Sequence, residues 1–330
     1  MKKIAFFTTI CAICATLCGG CGNSSAWYRA EGSVWATSYH ITYRANRQLD
    51  DSILHVMEQV EMSLSPFREE SLVSRINRGE TDETDSLLRK IFTTSQQINL
   101  ESGGMFDPTV APAVNLWRFG YRDSGHEPTD SEIEQARGVV GIDGCSLENL
   151  RIVKKSTATE FDFSAITKGY GCDRIGEMLR RNGCSDYMVE IGGEIALNGK
   201  NPQGEPWHIM IDAPVANDTA VVHNAMSVVK LTDCGIATSG NYRNYRDTPS
   251  GRVGHTINPM TCRPVQTTTL SATVIAPDAM TADALATACM AMTRADALRM
   301  ITSRPDTEAM LIEAADSGRW KVTCTDNFPR

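Results

Sequence analysis

Asp283 and Thr287 stand four residues apart in an alanine-rich run, so a helix there sets a carboxylate and a hydroxyl on one face, one turn apart. Two such oxygens make half of a hard-metal site, because Mg2+ prefers oxygen and fills its shell with waters, backbone carbonyls and substrate phosphates. The same pair also fits a helix whose dipole welcomes an early acid and whose threonine only packs. The stretch Phe161-Asp-Phe-Ser-Ala-Ile-Thr-Lys-Gly169 adds an acid and then Lys168 at an expected helix start, where backbone N–H groups and an ammonium can dock an anion. A helix cap with a surface lysine is its plain alternative. Ile191-Gly192-Gly193-Glu194 ends a strand on two glycines, which allows close backbone approach to a ligand or simply turns a hairpin. Gly254-His255-Thr-Ile-Asn-Pro259 offers an imidazole that can accept a proton near neutral pH, in a loop held by Gly and Pro. A lone histidine is more often structural. Read together, these oxygens and charges suit a magnesium-bound phosphate ester, and the chain reads as an enzyme.

Several elements must position these groups. Residues 33–43 are rich in β-branched and aromatic types and read as one strand. From Asp50 the apolar residues Ile53, Leu54, Val56, Met57, Val60 and Leu64 recur at helical spacing until Pro66. A second helix is expected over 85–100 and a third over 168–182, closed by Gly183; residues 120–130 form a polar, turn-rich excursion. Strands are expected at 187–191, 207–211, 228–231 and 270–276, with a helix from Asp278 to Met292. Mixed strands and helices without a regular βαβ rhythm give an α+β class, in one large domain over residues 33–330.

The N-terminus has its own logic. Lys2 and Lys3 precede an apolar run over 4–17 that is too short to cross a bilayer, and Gly19-Gly20-Cys21 follows. Residues 1–20 therefore read as a secretion signal of the lipoprotein type, with Cys21 as the acylated N-terminus and 21–32 as lipidated cysteine and tether, although Cys18 stands where such sites usually carry leucine. Ordinary secretion is the alternative. Both remove the protein from the cytoplasm, and the lipoprotein reading anchors it to a membrane of the bacterial envelope on the extracytoplasmic, periplasmic side. A net charge of −8 without clustered Lys and Arg argues against nucleic acid as a partner. Of eleven cysteines, seven remain beyond Cys21, widely spaced and without a C-x-x-C pair, so zinc is not expected.

Seven ordered blocks carry a family resemblance: Ser65-Pro-Phe-Arg-Glu-Glu-Ser-Leu-Val-Ser-Arg-Ile-Asn77, Gly103-Gly-Met-Phe-Asp-Pro-Thr-Val-Ala-Pro-Ala-Val-Asn-Leu-Trp-Arg-Phe-Gly120, the 161–169 stretch, Val189-Glu-Ile-Gly-Gly-Glu194, Ala237-Thr-Ser-Gly-Asn-Tyr242, His255-Thr-Ile-Asn-Pro259 and Ala282-Asp-Ala-Leu-Ala-Thr-Ala288. In this order they closely resemble the ApbE family of FAD:protein FMN transferases. The resemblance implies a T-fold-related arrangement of antiparallel sheets packed with helices. It implies Mg2+ at the diphosphate of FAD, attack by a threonine hydroxyl of an acceptor protein on the FMN phosphorus, and departure of AMP. By position, Asp283, Thr287 and the Ala165 carbonyl would hold the metal. Trp35, Phe67, Met105, Phe106, Asp107, Asp162, Lys168 and Ile257 would contact FAD, and His255 would be the base. Acceptors of the family include subunits of ion-pumping respiratory complexes and other extracytoplasmic flavoproteins.

Two departures stand out. Trp35-Ala36-Thr37 replaces the usual Met-Gly-Thr, and Pro66 stands where threonine is common. Two other functions use the same residues: an FAD pyrophosphatase, in which water replaces threonine, and a non-catalytic flavin-binding lipoprotein. Retention of His255, Asp283 and Thr287 together argues against the last, because binding alone needs no base.

Overall fold

The computed structural model describes residues 25–214, 225–241, 245–248, 251–315 and 319–329. The expected signal 1–20 and the lipidation site Cys21 lie outside the described residues. In chain order the strands are β1 (Ala26–Val34), β2 (Thr37–Ala45), β3 (Ser146–Glu148), β4 (Arg151–Val153), β5 (Tyr187–Ile191), β6 (Glu194–Asn198), β7 (Trp207–Asp212) and β8 (Ala225–Leu231). They continue as β9 (Gly235–Gly240), β10 (Tyr245–Thr248), β11 (Gly251–Gly254), β12 (Ile257–Asn258), β13 (Arg263–Pro264), β14 (Thr269–Ala276), β15 (Glu308–Ala314) and β16 (Trp320–Cys324). The helices are α1 (Asp50–Leu64), α2 (Leu72–Asn77), α3 (Ser86–Glu101), α4 (Ala111–Leu116), α5 (Asp130–Val139), α6 (Ser164–Arg181), α7 (Ala279–Ala291) and α8 (Arg294–Thr302).

One antiparallel sheet runs in the order β1-β2-β5-β6-β9-β14-β15-β16. Alternate residues of its central strands feed different cores, as the pleat requires. Ala272, Val274 and Ala276 of β14 and Ala309 and Leu311 of β15 pack with α3 and α7. Ile275, Met310 and Ile312 face the other way, against Trp207, Ile209 and Val229 of the β7–β8 hairpin. With both faces covered, every residue of β14 but Leu270 is buried. Helix α7 is enclosed on nearly all sides: Thr287 is its one residue that is not fully buried.

The start of α7 is set by side chains from two parts of the chain. Asp278 accepts from the Thr281 N–H at 2.7 Å, and Asp173 of α6 accepts from the Ala279 and Met280 N–H groups at 3.0 and 2.8 Å. Donors left over in the first helical turn are thereby satisfied from the neighbouring helix. This locks α6 against α7, the two helices that carry the acid, the lysine and the hydroxyl.

Three expectations need correction. Residues 33–43 are not one strand but the end of β1, a turn and most of β2. The turn is made by Trp35 and Ala36 at φ of +48° and +59°, a left-handed geometry that neither residue type advertises. Residues 26–32, assigned to the tether, lie in β1 and pair with β2. Helix α6 begins at Ser164 rather than Lys168, because the Asp162 carboxylate accepts from both the N–H and the hydroxyl of Ser164, at 2.8 and 2.5 Å, and so turns the chain into the helix.

Candidate active site

A cleft of about 440 Å³ opens where α6, α7, the β5–β6 turn and the end of β9 meet. Asp283 and Thr287 of α7 form part of its wall, with Ala165 and Lys168 of α6 beside them. Asp162, Gly192 and Glu194, then Thr238, Ser239 and Gly240, complete the polar side. His255, Thr256 and Ile257 enter after β11, and Phe67, Val110, Val114 and Phe119 supply an apolar side. Residues up to 220 positions apart in the sequence thus share one space.

The helix start and the lysine are linked differently from the sequence expectation. Lys168 lies in the second turn of α6, so it does not stand among free N-terminal amides. The following N–H, that of Gly169, donates to Asp283 Oδ2 at 3.0 Å. In a regular α-helix this N–H points at the carbonyl four residues back, here Ala165. The Asp283 carboxylate competes for it, which leaves lone-pair capacity on the Ala165 oxygen. Gly169 is required for this approach: a Cβ there would sit 2.6 Å from the Ala279 carbonyl carbon and 2.8 Å from Asp283 Cβ.

Charge in the cleft is concentrated and buried. Lys168 Nζ lies 2.5 Å from Glu194 Oε1. Burial works against the Lys168 ammonium, but Glu194 and Asp283 outweigh it and hold the amine above its ordinary range. Burial raises the Glu194 carboxyl and Lys168 pulls it back, with Asp283 adding to the rise. Asp283 is raised by burial too, opposed by Lys168 and the Gly169 N–H. Asp162 is likewise raised by burial and lowered by Ser164. Glu194 and Asp283 thus share one ammonium, and burial penalises the ionised form of each, so a cation in the cleft would favour their carboxylates.

The donor set fits Mg2+. Among the described residues no three His, Cys, Asp or Glu side chains converge on a metal position, so a self-sufficient cage of the zinc type is absent there. Asp283, Thr287 and Ala165 line one cleft and offer a carboxylate, a hydroxyl and a backbone carbonyl, the oxygen set of an ion that borrows its other ligands. Thr287 Oγ1 lies 3.2 Å from Ser239 Oγ, which fixes its hydroxyl at the cleft wall. The His255 ring meets Phe119 edge-on, with centroids 6.4 Å apart. Phe67, 64% exposed at the mouth, stands edge-on to Tyr121 at 6.1 Å.

Of the residues singled out from the sequence, Phe67, Asp162, Ala165, Lys168, His255, Ile257, Asp283 and Thr287 come together in the cleft. Trp35, Met105, Phe106 and Asp107 are not among its walls. Phe106 is buried in the core with α3. The Asp107 carboxylate is engaged by Thr109 N and Oγ1 at 2.8 and 2.6 Å and by Ile142 N at 3.0 Å, which makes it a brace for two loops. The Trp35 ring packs beside Gly171 between the two helix-side cores. Val110, Val114, Phe119, Ser239 and Glu194 line the cleft without having been singled out. For Glu194 a signal existed: an acid directly after Gly-Gly at the head of the apolar run Ile-Ala-Leu.

Comparison with known proteins decides among families that use such a cleft. The profile described as the ApbE family matches residues 35–311. The chain belongs to the ApbE family. A Vibrio cholerae relative named FAD:protein FMN transferase is 35% identical over 286 residues, covering 84% of each chain. A Haemophilus influenzae protein of the same name is 30% identical over 334 residues, covering 96% of this chain and 95% of its own. Among solved structures, the flavin transferase ApbE from Vibrio cholerae superposes with a TM-score of 0.81 at 31% identity, over 92% of this chain and 98% of that one. The apo form of the Pseudomonas stutzeri flavinyl transferase ApbE gives 0.81 at 29% identity, over 92% and 95%. The α+β sheet packed with helices is therefore the ApbE fold, and the match begins at Trp35, the first departure noted in the sequence.

Proposed function

We propose that this ApbE-family enzyme transfers the FMN half of FAD to a threonine hydroxyl of an acceptor flavoprotein, with AMP as the second product and Mg2+ required. Flavin transfer is the activity named in its relatives; the oxygen donors lining the cleft support metal dependence, and the family resemblance supports the threonine acceptor. The observation with most weight is that one cavity of about 440 Å³ gathers Lys168, His255, Asp283 and Thr287 from three separate stretches of chain.

Balanced, the step forms a bond from the threonine oxygen to the FMN phosphorus and breaks the bond from that phosphorus to the AMP oxygen. His255 accepts the hydroxyl proton. Lys168, fixed by Glu194, presents its ammonium to the anionic substrate. Asp283, Thr287 and the Ala165 carbonyl are the groups that would hold Mg2+, which when bound neutralises diphosphate charge and the charge developing on AMP. Phe67, Val110, Val114 and Phe119 give an apolar side for the isoalloxazine ring, and Asp162 and Ile257 border the same space. Alignment of hydroxyl and phosphorus does the remaining work.

The N-terminal pattern supports placing this activity on the extracytoplasmic side of an envelope membrane, tethered through Cys21, with envelope flavoproteins such as subunits of ion-pumping respiratory complexes as acceptors. Among the described residues no helix is long and apolar enough to cross a membrane. The test combines leaderless protein, FAD, Mg2+ and an acceptor domain, with the acceptor weighed by mass spectrometry. A gain of one FMN unit, abolished by EDTA and by Asp283→Ala, supports the proposal. An unchanged acceptor beside free FMN would show a pyrophosphatase instead.

A further inference from the structure

The reaction above uses one oxygen of Glu194, to fix Lys168, and leaves the other without a role. It is 3% exposed, at the first position of β6, directly after the Gly192-Gly193 turn. One carboxylate oxygen, Oε1, lies 2.5 Å from Lys168 Nζ. The other, Oε2, is buried and has no hydrogen-bond partner from the chain. Buried carboxylate oxygens in native proteins are nearly always satisfied, and exceptions concentrate where a ligand completes the set. The residue lines the cleft, so the cleft is the side from which a donor would come.

The neighbourhood limits what this donor is. A second cation is disfavoured because the Lys168 ammonium already sits on the sister oxygen and would repel it. An anion is excluded by the carboxylate itself. What remains is a neutral O–H or N–H. A flavin nucleotide carries both kinds, on its ribityl chain and isoalloxazine ring and on its ribose and adenine.

We propose that Glu194 recognises the flavin nucleotide directly: Oε1 anchors Lys168, and Oε2 accepts a hydrogen bond from an O–H or N–H donor of the bound dinucleotide. This rests on the reading of the cleft as an FAD site. Lys168 and Glu194 then act as a pair of opposite kinds, one turned to the anionic part of the substrate and the other to a neutral donor. The arrangement also discriminates: a ligand that brings only acceptors to this point leaves Oε2 unpaired and meets a buried negative charge.

The test measures equilibrium binding of FAD, FMN and AMP in Mg2+ and in EDTA, for wild type, Glu194→Gln, Lys168→Gln and the double variant. Glutamine keeps the shape and can still face Lys168 with its amide oxygen, but its NH2 cannot accept. The double variant replaces the ion pair by two amides that can pair with each other, so one of the two backgrounds remains usable if a single variant folds poorly. The expected result is FAD binding weakened about 10- to 100-fold by Glu194→Gln in both backgrounds. The same factor is expected for whichever of FMN or AMP carries the donor, and none for the other. Loss of the effect in the Lys168→Gln background would overturn direct contact, since Glu194 would then act only through the lysine. Equal FAD binding by wild type and Glu194→Gln would overturn the assignment while leaving the FAD site intact. If wild-type protein binds no flavin nucleotide at all, the reading of the cleft falls and the inference with it.

Discussion

Replacing Gly169 by alanine tests whether α6 and α7 approach as closely as the active site needs. A Cβ at this position would lie 2.6 Å from the carbonyl carbon of Ala279, and nearer still to its oxygen, against an ordinary contact of 3.4 Å or more. The helices must then part by at least about 0.8 Å. The obstacle is backbone and cannot rotate aside. Overpacking of this kind costs about 1–3 kcal/mol, while the better helix propensity of alanine returns up to about 1 kcal/mol. The net expectation is a loss of about 1–2 kcal/mol, or roughly 2–3 °C in melting temperature for a chain of this size. The same movement strains the bond from Gly169 N–H to Asp283 and shifts the lysine relative to the carboxylate. A misplacement near 1 Å lowers turnover by about 100-fold. Gly138 in α5 supplies a matched control, because a Cβ there meets nothing within 4 Å, so Gly138→Ala should be neutral or stabilising. Thermal melts and FMN transfer by mass spectrometry check both parts. If Gly169→Ala melted at or above the wild-type temperature with full transfer, helix propensity would be the only effect present and the described contact between α6 and α7 would be wrong.

The other expectations concern the turn, a buried acid and the base. Ala36→Gly relieves a left-handed residue at φ +59° and should stabilise the protein by about 0.5–1 kcal/mol, seen as a higher denaturation midpoint; no change would mean the turn is unstrained. Asp173 is fully buried and its carboxyl is pushed up to about 7, chiefly by burial. A raised folded-state value means that its contribution to stability is present below about pH 4 and is lost as pH rises towards 7. Asp173→Asn should therefore gain melting temperature relative to wild type between pH 5 and pH 8, whereas a constant difference would contradict the shift. His255→Ala should bind FAD with near wild-type affinity and lose transfer by about 100-fold or more; unimpaired transfer would remove the residue from the base role.

Helices with capping acids and continuous periodicity were legible. Asp50 opens α1, Asp85 caps α3 by accepting from Leu88 N–H at 2.7 Å, and Asp278 caps α7. Strand β5 matches its expected bounds because β-branched and apolar residues end at a Gly-Gly turn. The β1–β2 turn was hidden because Trp-Ala carries no turn signal and its strain is held by packing of the Trp35 ring, a tertiary effect. The start of α6 was misplaced because the turn formed by Asp162 and Ser164 resembles ordinary loop sequence. For the site, the spacing of Asp283 and Thr287 on one helix face could be read directly. Their alignment with Lys168 could not, since it depends on two helices meeting at Gly169. Asp107 could be read as a motif acid, but the engagement of its carboxylate by two loops could not, since Thr109 and Ile142 reach it only in the folded chain.

The central claim is that Asp283 and Thr287, with the Ala165 carbonyl, hold a divalent ion against the diphosphate of FAD inside this cleft. A crystal of the protein soaked with FAD and Mn2+, with data collected for the anomalous signal of manganese, addresses it directly. The account predicts an anomalous peak at about 2.0–2.3 Å from the Asp283 carboxylate and the Thr287 hydroxyl, touching the diphosphate. FAD bound in the cleft with no peak there, or a peak held by other residues, would contradict it.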